Sequence, residues 1–153
     1  MNELLIARGL NLEPLWKDLC RRFRADQISL KLLPPPDEDG LPRQARVELD
    51  AGALIARLDQ VVGRENWSME YYIWSDDLCS CRLTVFGATR DALARGGSAG
   101  YATPDAFRLA AGRFGIGRRL YDHIVAVDVD ANGQIAHPEE VYRKLRREGR
   151  LQS

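Results

Sequence analysis

The chain has 153 residues, with 22 Lys and Arg balanced by 22 Asp and Glu, 45% hydrophobic and 29% charged content, and a net charge of zero. A chain of this length buries roughly 70% of its unfolded surface, enough for a core without staples, and the mixture is that of a globular protein rather than a fibrous or disordered one. The charge balance excludes a protein that coats nucleic acid over its whole surface, yet it leaves room for a basic strip, because the charges are segregated. Lys17, Arg21, Arg22, Arg24 and Lys31 gather near the start, Asp37 to Asp39 follow a proline run, and Arg143, Lys144, Arg146, Arg147 and Arg150 crowd the end.

In chain order, Leu12 to Phe23 reads as an amphipathic helix with Leu12, Leu15, Trp16, Leu19 and Phe23 on one face. Ile28 to Leu33 and Arg43 to Glu48 read as strands around a stiff Pro34-Pro35-Pro36 spacer. Asp50 marks the start of a helix over Ala51 to Val62, with Leu54, Leu58 and Val61 toward the core and Gly63 as its stop. Trp67 to Trp74 alternates, with Trp67, Met69, Tyr71 and Ile73 inward. Cys79 to Phe86 alternates again, with Cys79, Cys81, Leu83 and Val85 inward. Ser75 to Leu78 suits a hairpin link, and a third, shorter strand is expected in Ala88 to Leu93. Arg95 to Tyr101 is glycine-rich and predicts a mobile link.

Thr103 can cap the next helix, Pro104 suits its first turn, and Asp105 favours the positive end of its dipole. Phe107, Ala110, Ala111 and Phe114 then recur at helical spacing, Gly115 supplies a C-cap, and Gly117 tightens the turn that follows. Arg108, Arg113, Arg118 and Arg119 lie in this segment, which can serve as a phosphate-binding helix or as a solvated surface helix. Ile124 to Val127 looks like a strand, and Glu139 to Glu148 is a basic amphipathic helix. The resulting class is α+β: an antiparallel hairpin extended to a three-stranded sheet and packed on a helix, a β-β-β-α core over about residues 49–122. Residues 1–153 are expected to form a single domain, with a C-terminal hairpin and helix over 123–153.

Three strings carry a resemblance. DAFRLAAGRFGIGRRLYD ends at Asp122, ARLDQVVGRENWSMEY runs from Ala56 to Tyr71, and CRLTVFGATRD from Cys81 to Asp91. In this order they resemble the Rad-fifty-two family of single-strand annealing proteins, most nearly its bacterial DNA damage response protein A branch. The resemblance covers about Leu49 to Asp122. It implies a ring of subunits with a basic groove that holds single-stranded DNA or 3′ DNA ends, annealing strands or shielding ends without ATP or cofactor. Arg108 matches the family's lysine on the groove helix. Arg113 and Arg118 follow by position, and Arg82 and Arg90 lie on or near the outward side of the hairpin. The family's next basic position is Leu109 here, another is Gly112, and a third is Ala53, for which Arg57 can substitute one turn on. The other reading is an oligomeric structural or protein-interaction module with the same fold and little DNA affinity.

Outward Tyr72, Trp74 and Phe86 can stack on bases or mark a surface covered by a second layer or subunit. Asp128-Val-Asp130-Ala-Asn132-Gly133 with Glu139 matches a calcium-loop pattern. A strand-like approach, Ala136 at the ninth position and Pro138 at the eleventh favour a hairpin turn there instead, so no metal is expected. GRFGIG ends a helix rather than opening one, which disqualifies it as a dinucleotide loop. No phosphate-binding loop with Lys-Ser/Thr and no nucleophile elbow is present, so no enzymatic activity is expected. Cys20, Cys79 and Cys81 read as buried thiols of a reducing cytoplasm. No apolar run has membrane-spanning length and the start lacks a secretory segment, so a cytoplasmic, nucleoid-associated location without a membrane partner is expected.

Overall fold

A computed structural model describes residues 11–96 and 99–153, with the side chains of residues 99–101 left aside. The protein is α+β, with two antiparallel three-stranded sheets and four α-helices among the described residues. The helices are α1 (Glu13–Leu19), α2 (Ala51–Val62), α3 (Ala99–Arg113) and α4 (Pro138–Arg147). The strands are β1 (Ile28–Leu32), β2 (Arg43–Leu49), β3 (Trp67–Ile73), β4 (Leu78–Val85), β5 (Ala88–Arg95) and β6 (Ile124–Val127). The described residues fall into two compact units, one within 11–21 and 51–118, the other within 22–50 and 119–153.

In the first unit, β3, β4 and β5 form a meander. Cys79, Cys81, Leu83 and Val85 alternate inward on β4, each fully buried, and Ala92 and Ala94 join them from β5. Leu83 pairs with Arg90 and Arg82 with Asp91, so Arg90 shares the inner face and Arg82 the outer one. The β4–β5 turn is Phe86-Gly87, with φ of 48° and 79°. Two positive φ angles in a two-residue loop define a type I′ turn, whose twist matches the strands it joins. Phe86 therefore sits in the turn rather than on the outer strand face where its alternation placed it. Ile73 also departs from expectation: it is 57% exposed, because α3 packs mainly on β4 and β5 and leaves the end of β3 uncovered.

Helix α1 stops at Leu19, four residues before the expected end. Arg57 of α2 is buried and its Nη1 donates to the carbonyls of Leu19 at 3.0 Å and Arg21 at 2.6 Å. A guanidinium there satisfies carbonyls that the helix end leaves unpaired and offsets the negative end of the dipole. Phe23, expected on the same helix face, is instead buried in the second unit and bridges to Leu151.

In the second unit the sheet order is β1-β2-β6, with Ile28, Ala45, Val47, Leu49, Val125 and Val127 buried. Val141 and Leu145, one turn apart on α4, are buried as well. Asp130 Oδ1 accepts from the backbone N–H groups of Asn132 at 2.8 Å and Gln134 at 3.0 Å, and Val129 bridges to Ile135. The calcium-like string is thus a hairpin turn whose central carboxylate binds its own backbone. Among the described residues no group of three or more His, Cys, Asp and Glu is placed to hold a metal.

His123 supplies a pH prediction. Burial pushes its imidazole pKa below the usual value, Arg150 pushes it further, and Glu148 opposes both. The unfolded chain therefore binds more protons just below the ordinary histidine pKa, and stability rises with pH across that window. Melting temperature should fall on acidification from pH 7.5 to 5.5, and His123→Gln should flatten that fall. An equal fall in both proteins would reject the assignment.

Candidate nucleic-acid interface

Helix α3 begins at Ala99, one turn before the expected Thr103 cap, and Pro104 lies inside it. Burial explains the extension. Ala102, Ala106 and Ala110, spaced by four, are each fully buried, and small side chains let the helix lie close on the sheet. That packing outweighs the backbone hydrogen bond that Pro104 cannot make. Phe107, also buried, stacks on Trp67 with ring centroids 6.4 Å apart, and Trp67 Nε1 donates to Asp59 at 2.8 Å.

The exit is as the glycines announce. Gly115 has φ +91°; its N–H reaches the Gly112 carbonyl at 2.9 Å, and the Ile116 N–H reaches that of Ala111 at 3.0 Å. This paired pattern is the Schellman motif, completed by apolar contact between its ends; Ala111 and Ile116 are both buried. A methyl group at Gly115 would stand 3.1 Å from Cys20 Sγ, so both conformation and space require glycine. Cys20, expected to be buried, is exposed and donates its thiol to the Phe114 carbonyl at 3.5 Å.

Phe114, just past the helix, stacks on Trp16 of α1 at 5.4 Å between centroids. Arg90 Cζ lies over the Phe114 ring, 5.2 Å from its centroid. Arg113 is exposed at the helix end, next to Phe114 in sequence. Arg118 is exposed in the turn that follows. The α3 exit thus gathers two aromatic rings with Arg90 and Arg113, while Lys17 stands exposed next to Trp16 in α1.

The other expected contacts are placed differently. Arg108 is only 15% exposed and pairs with Asp105 at 2.9 Å. It also opposes the rise of the Tyr71 pKa, which burial and the Cys81 and Cys79 thiols push up to about 12. Arg108 is therefore largely buried in an ion pair within its own helix rather than on an open strip. Arg57 is buried against backbone carbonyls, so it does not replace the basic residue absent at Ala53. Arg82 makes a two-pronged pair with Asp91, at 2.9 and 3.2 Å. The register sets Glu70, Arg82 and Asp91 in one row across the outer face. Two carboxylates to one guanidinium make that row acidic, a poor surface for phosphate.

The same outer face carries Tyr72, Trp74 and Leu93, which are 42%, 66% and 58% exposed. Trp74 Nε1 donates to Ser80 Oγ at 2.9 Å and Tyr72 to Glu70 at 2.9 Å, so both rings are held in place. Periodicity assigns Trp16 and Phe114 to apolar helix stripes and does not reveal that the two rings stack at the exit. The usable signal was that Phe114 directly precedes the stop glycine, where a helix stripe has already ended.

Cysteine chemistry offers a check on this geometry. Burial raises the thiol pKa of Cys79 and Cys81, the latter to about 12, whereas at the exposed Cys20 partial desolvation of the thiol raises it against the opposing charge of Arg57. Only the exposed Cys20 is open to a reagent, so iodoacetamide at pH 8 should label Cys20 first in the native protein. Labelling of Cys79 or Cys81 at a comparable rate, read by peptide mass, would contradict the packing of β4.

No family model matches the chain, and no curated protein matches it significantly.

Proposed function

We propose that this protein is a non-enzymatic module that binds single-stranded DNA or 3′ DNA ends and acts as an oligomer in DNA repair, annealing strands or protecting ends. The observation that carries the reading is the α3 exit, where Arg90 lies over Phe114, Phe114 stacks on Trp16, and Arg113 is exposed alongside. Guanidinium groups serve phosphates and stack on bases, and aromatic groups serve unpaired bases, so their convergence favours a single strand over a duplex. The β3-β4-β5-α3 order supports the reading as an α+β core of this kind, and the binding surface we propose centres on the helix exit rather than on Arg108. The exposed Tyr72, Ile73, Trp74 and Leu93 support self-association, since such patches mark interaction sites.

A salt-titrated mobility shift tests the binding. Single-stranded and 3′-tailed oligonucleotides should shift at low salt, ahead of blunt duplex, and affinity should fall as salt rises. Absence of a shift at 20 mM salt would reject the reading. Sedimentation tests assembly separately, with a clean monomer at micromolar concentration counting against the ring. The second reading, a protein-interaction module of the same fold, rests on the apolar outer patch and the acidic Glu70–Arg82–Asp91 row. Self-association without any DNA shift would favour it.

A further inference from the structure

The second unit holds a cleft that the α3 exit does not use. It encloses about 500 Å³ and is lined by Arg24, Asp26, Ile28, Glu139, Tyr142 and Arg146. Small-ligand sites are concavities of roughly 300–1,000 Å³, so a molecule of several rings fits this one.

The segments that line the cleft are each held by bonds of their own. Val141 and Leu145 are buried and anchor α4. Glu139, Tyr142 and Arg146, spaced by three and four residues, share a stripe of that helix. In the turn before β1, the Arg24 N–H donates to Gln27 Oε1 at 2.8 Å and the Gln27 N–H returns to the Arg24 carbonyl at 3.0 Å. Arg24 also grips Asp26 through two bonds, at 3.0 and 3.4 Å, so these two charges neutralise each other. Gln152, a further lining residue, donates its N–H to the Phe23 carbonyl at 2.8 Å.

Glu139 and Arg146 are both exposed and join no ion pair among the described residues. Half-buried Tyr142 lies between them on the stripe. Helix α4 therefore offers a carboxylate, an aromatic ring and a guanidinium in a row, over seven residues or about 10 Å of helix axis. That row is complementary to a planar base carrying a phosphate. A guanidinium fork pairs with two phosphate oxygens, and a tyrosine ring stacks on the face of a base. An ionised carboxylate only accepts, and it can take two hydrogen bonds side by side. Guanine is the base whose pairing edge offers two adjacent donors, its N1–H and its 2-amino group. Adenine and cytosine set an acceptor beside the amino group, which a carboxylate repels.

We propose that this cleft binds a guanine mononucleotide, with Glu139 on the base edge, Tyr142 on the base face and Arg146 on the phosphate. The site goes beyond the single-strand reading above and shares none of its residues.

The test titrates the full chain with guanosine 5′-monophosphate and follows the Tyr142 ring resonances. They should move and saturate with a dissociation constant below about 1 mM. Adenosine 5′-monophosphate and unphosphorylated guanosine should each bind about tenfold more weakly, the loss of one charge-assisted contact. Glu139→Ala should erase the preference for guanine, and Arg146→Ala the preference for the phosphate. Arg90→Ala with Arg113→Ala, which probes the α3 exit, should leave the titration unchanged. Equal affinity of the wild type for the guanine and adenine nucleotides overturns the proposal, as does equal affinity for the nucleotide and for guanosine. Saturating movement at Trp16 with Tyr142 unmoved would seat the nucleotide at the α3 exit and overturn it too. Should either single variant fail to fold, the wild-type comparisons decide.

Discussion

Arg57→Ala should destabilise the protein by about 3 kcal/mol, the largest effect expected of any single charge removal here. Two charge-assisted hydrogen bonds are lost, each contributing on the order of 1.5 kcal/mol. The carbonyls of Leu19 and Arg21 lose a buried donor, and α1 loses the cation at the negative end of its dipole. For a chain of this size the melting temperature should drop by roughly 6–12 °C. Arg57→Lys should recover only part of that loss, because a compact, strongly hydrated ammonium group costs more to bury than a guanidinium group. Calorimetry of the two variants decides. A shift within 2 °C for Arg57→Ala would mean that the guanidinium is not structural, and would return Arg57 to the list of phosphate contacts.

Arg90→Ala combined with Arg113→Ala should weaken single-strand binding by about an order of magnitude at low salt and reduce the salt slope by about 1.4, the share of two phosphate contacts. Phe114→Ala should add a loss equivalent to about 1–3 kcal/mol if its ring supports a base or the arginine that does. Arg108→Ala is expected to act on stability instead, since it breaks the half-buried pair with Asp105 and leaves that carboxylate without its cation. Arg82→Ala should change affinity little, because it removes the cation from an already acidic row. Direct titrations of the four proteins, each paired with a melting curve, separate binding from folding. Arg108→Ala binding more weakly than the Arg90 and Arg113 double variant, at unchanged stability, would restore the Arg108 groove and reject the exit.

The contrast between Arg57 and Arg113 shows what local pattern can and cannot reveal. The bounds of helix α2 were legible to the residue because an apolar stripe and a stop glycine agree, although Val62 is buried rather than the expected Val61. Arg57 falls between Leu54 and Leu58 on that same stripe, so its burial was visible in principle. Its partners, the carbonyls at the end of α1, come from a distant segment and were not. The alternation of β4 was legible because both its faces are used, whereas β3 misled at Ile73, since burial there depends on how far α3 reaches across the sheet. The start of α3 was misread because Thr103-Pro104 satisfies the local rules for a helix start. The buried row of Ala102, Ala106 and Ala110 decided otherwise through tertiary packing. The turn at Phe86-Gly87 escaped notice because a bulky residue rarely adopts left-handed backbone. The basic exit was recognised as a segment, but its aromatic floor needed the placement of α1.

The connectivity of the two units has a consequence for dissecting the protein. The chain leaves the first unit after Arg21, returns at Ala51, and leaves again after Arg118. A single cut therefore frees neither unit. A fragment ending at Arg118 keeps the first unit but carries β1 and β2 stripped of β6, exposing a sheet edge that invites aggregation. A fragment starting at Arg22 keeps the second unit but strands Arg57 against carbonyls that are gone. Separating the two would require circular permutation or splicing Arg21 to Ala51, with Arg57 holding the residues next to the join.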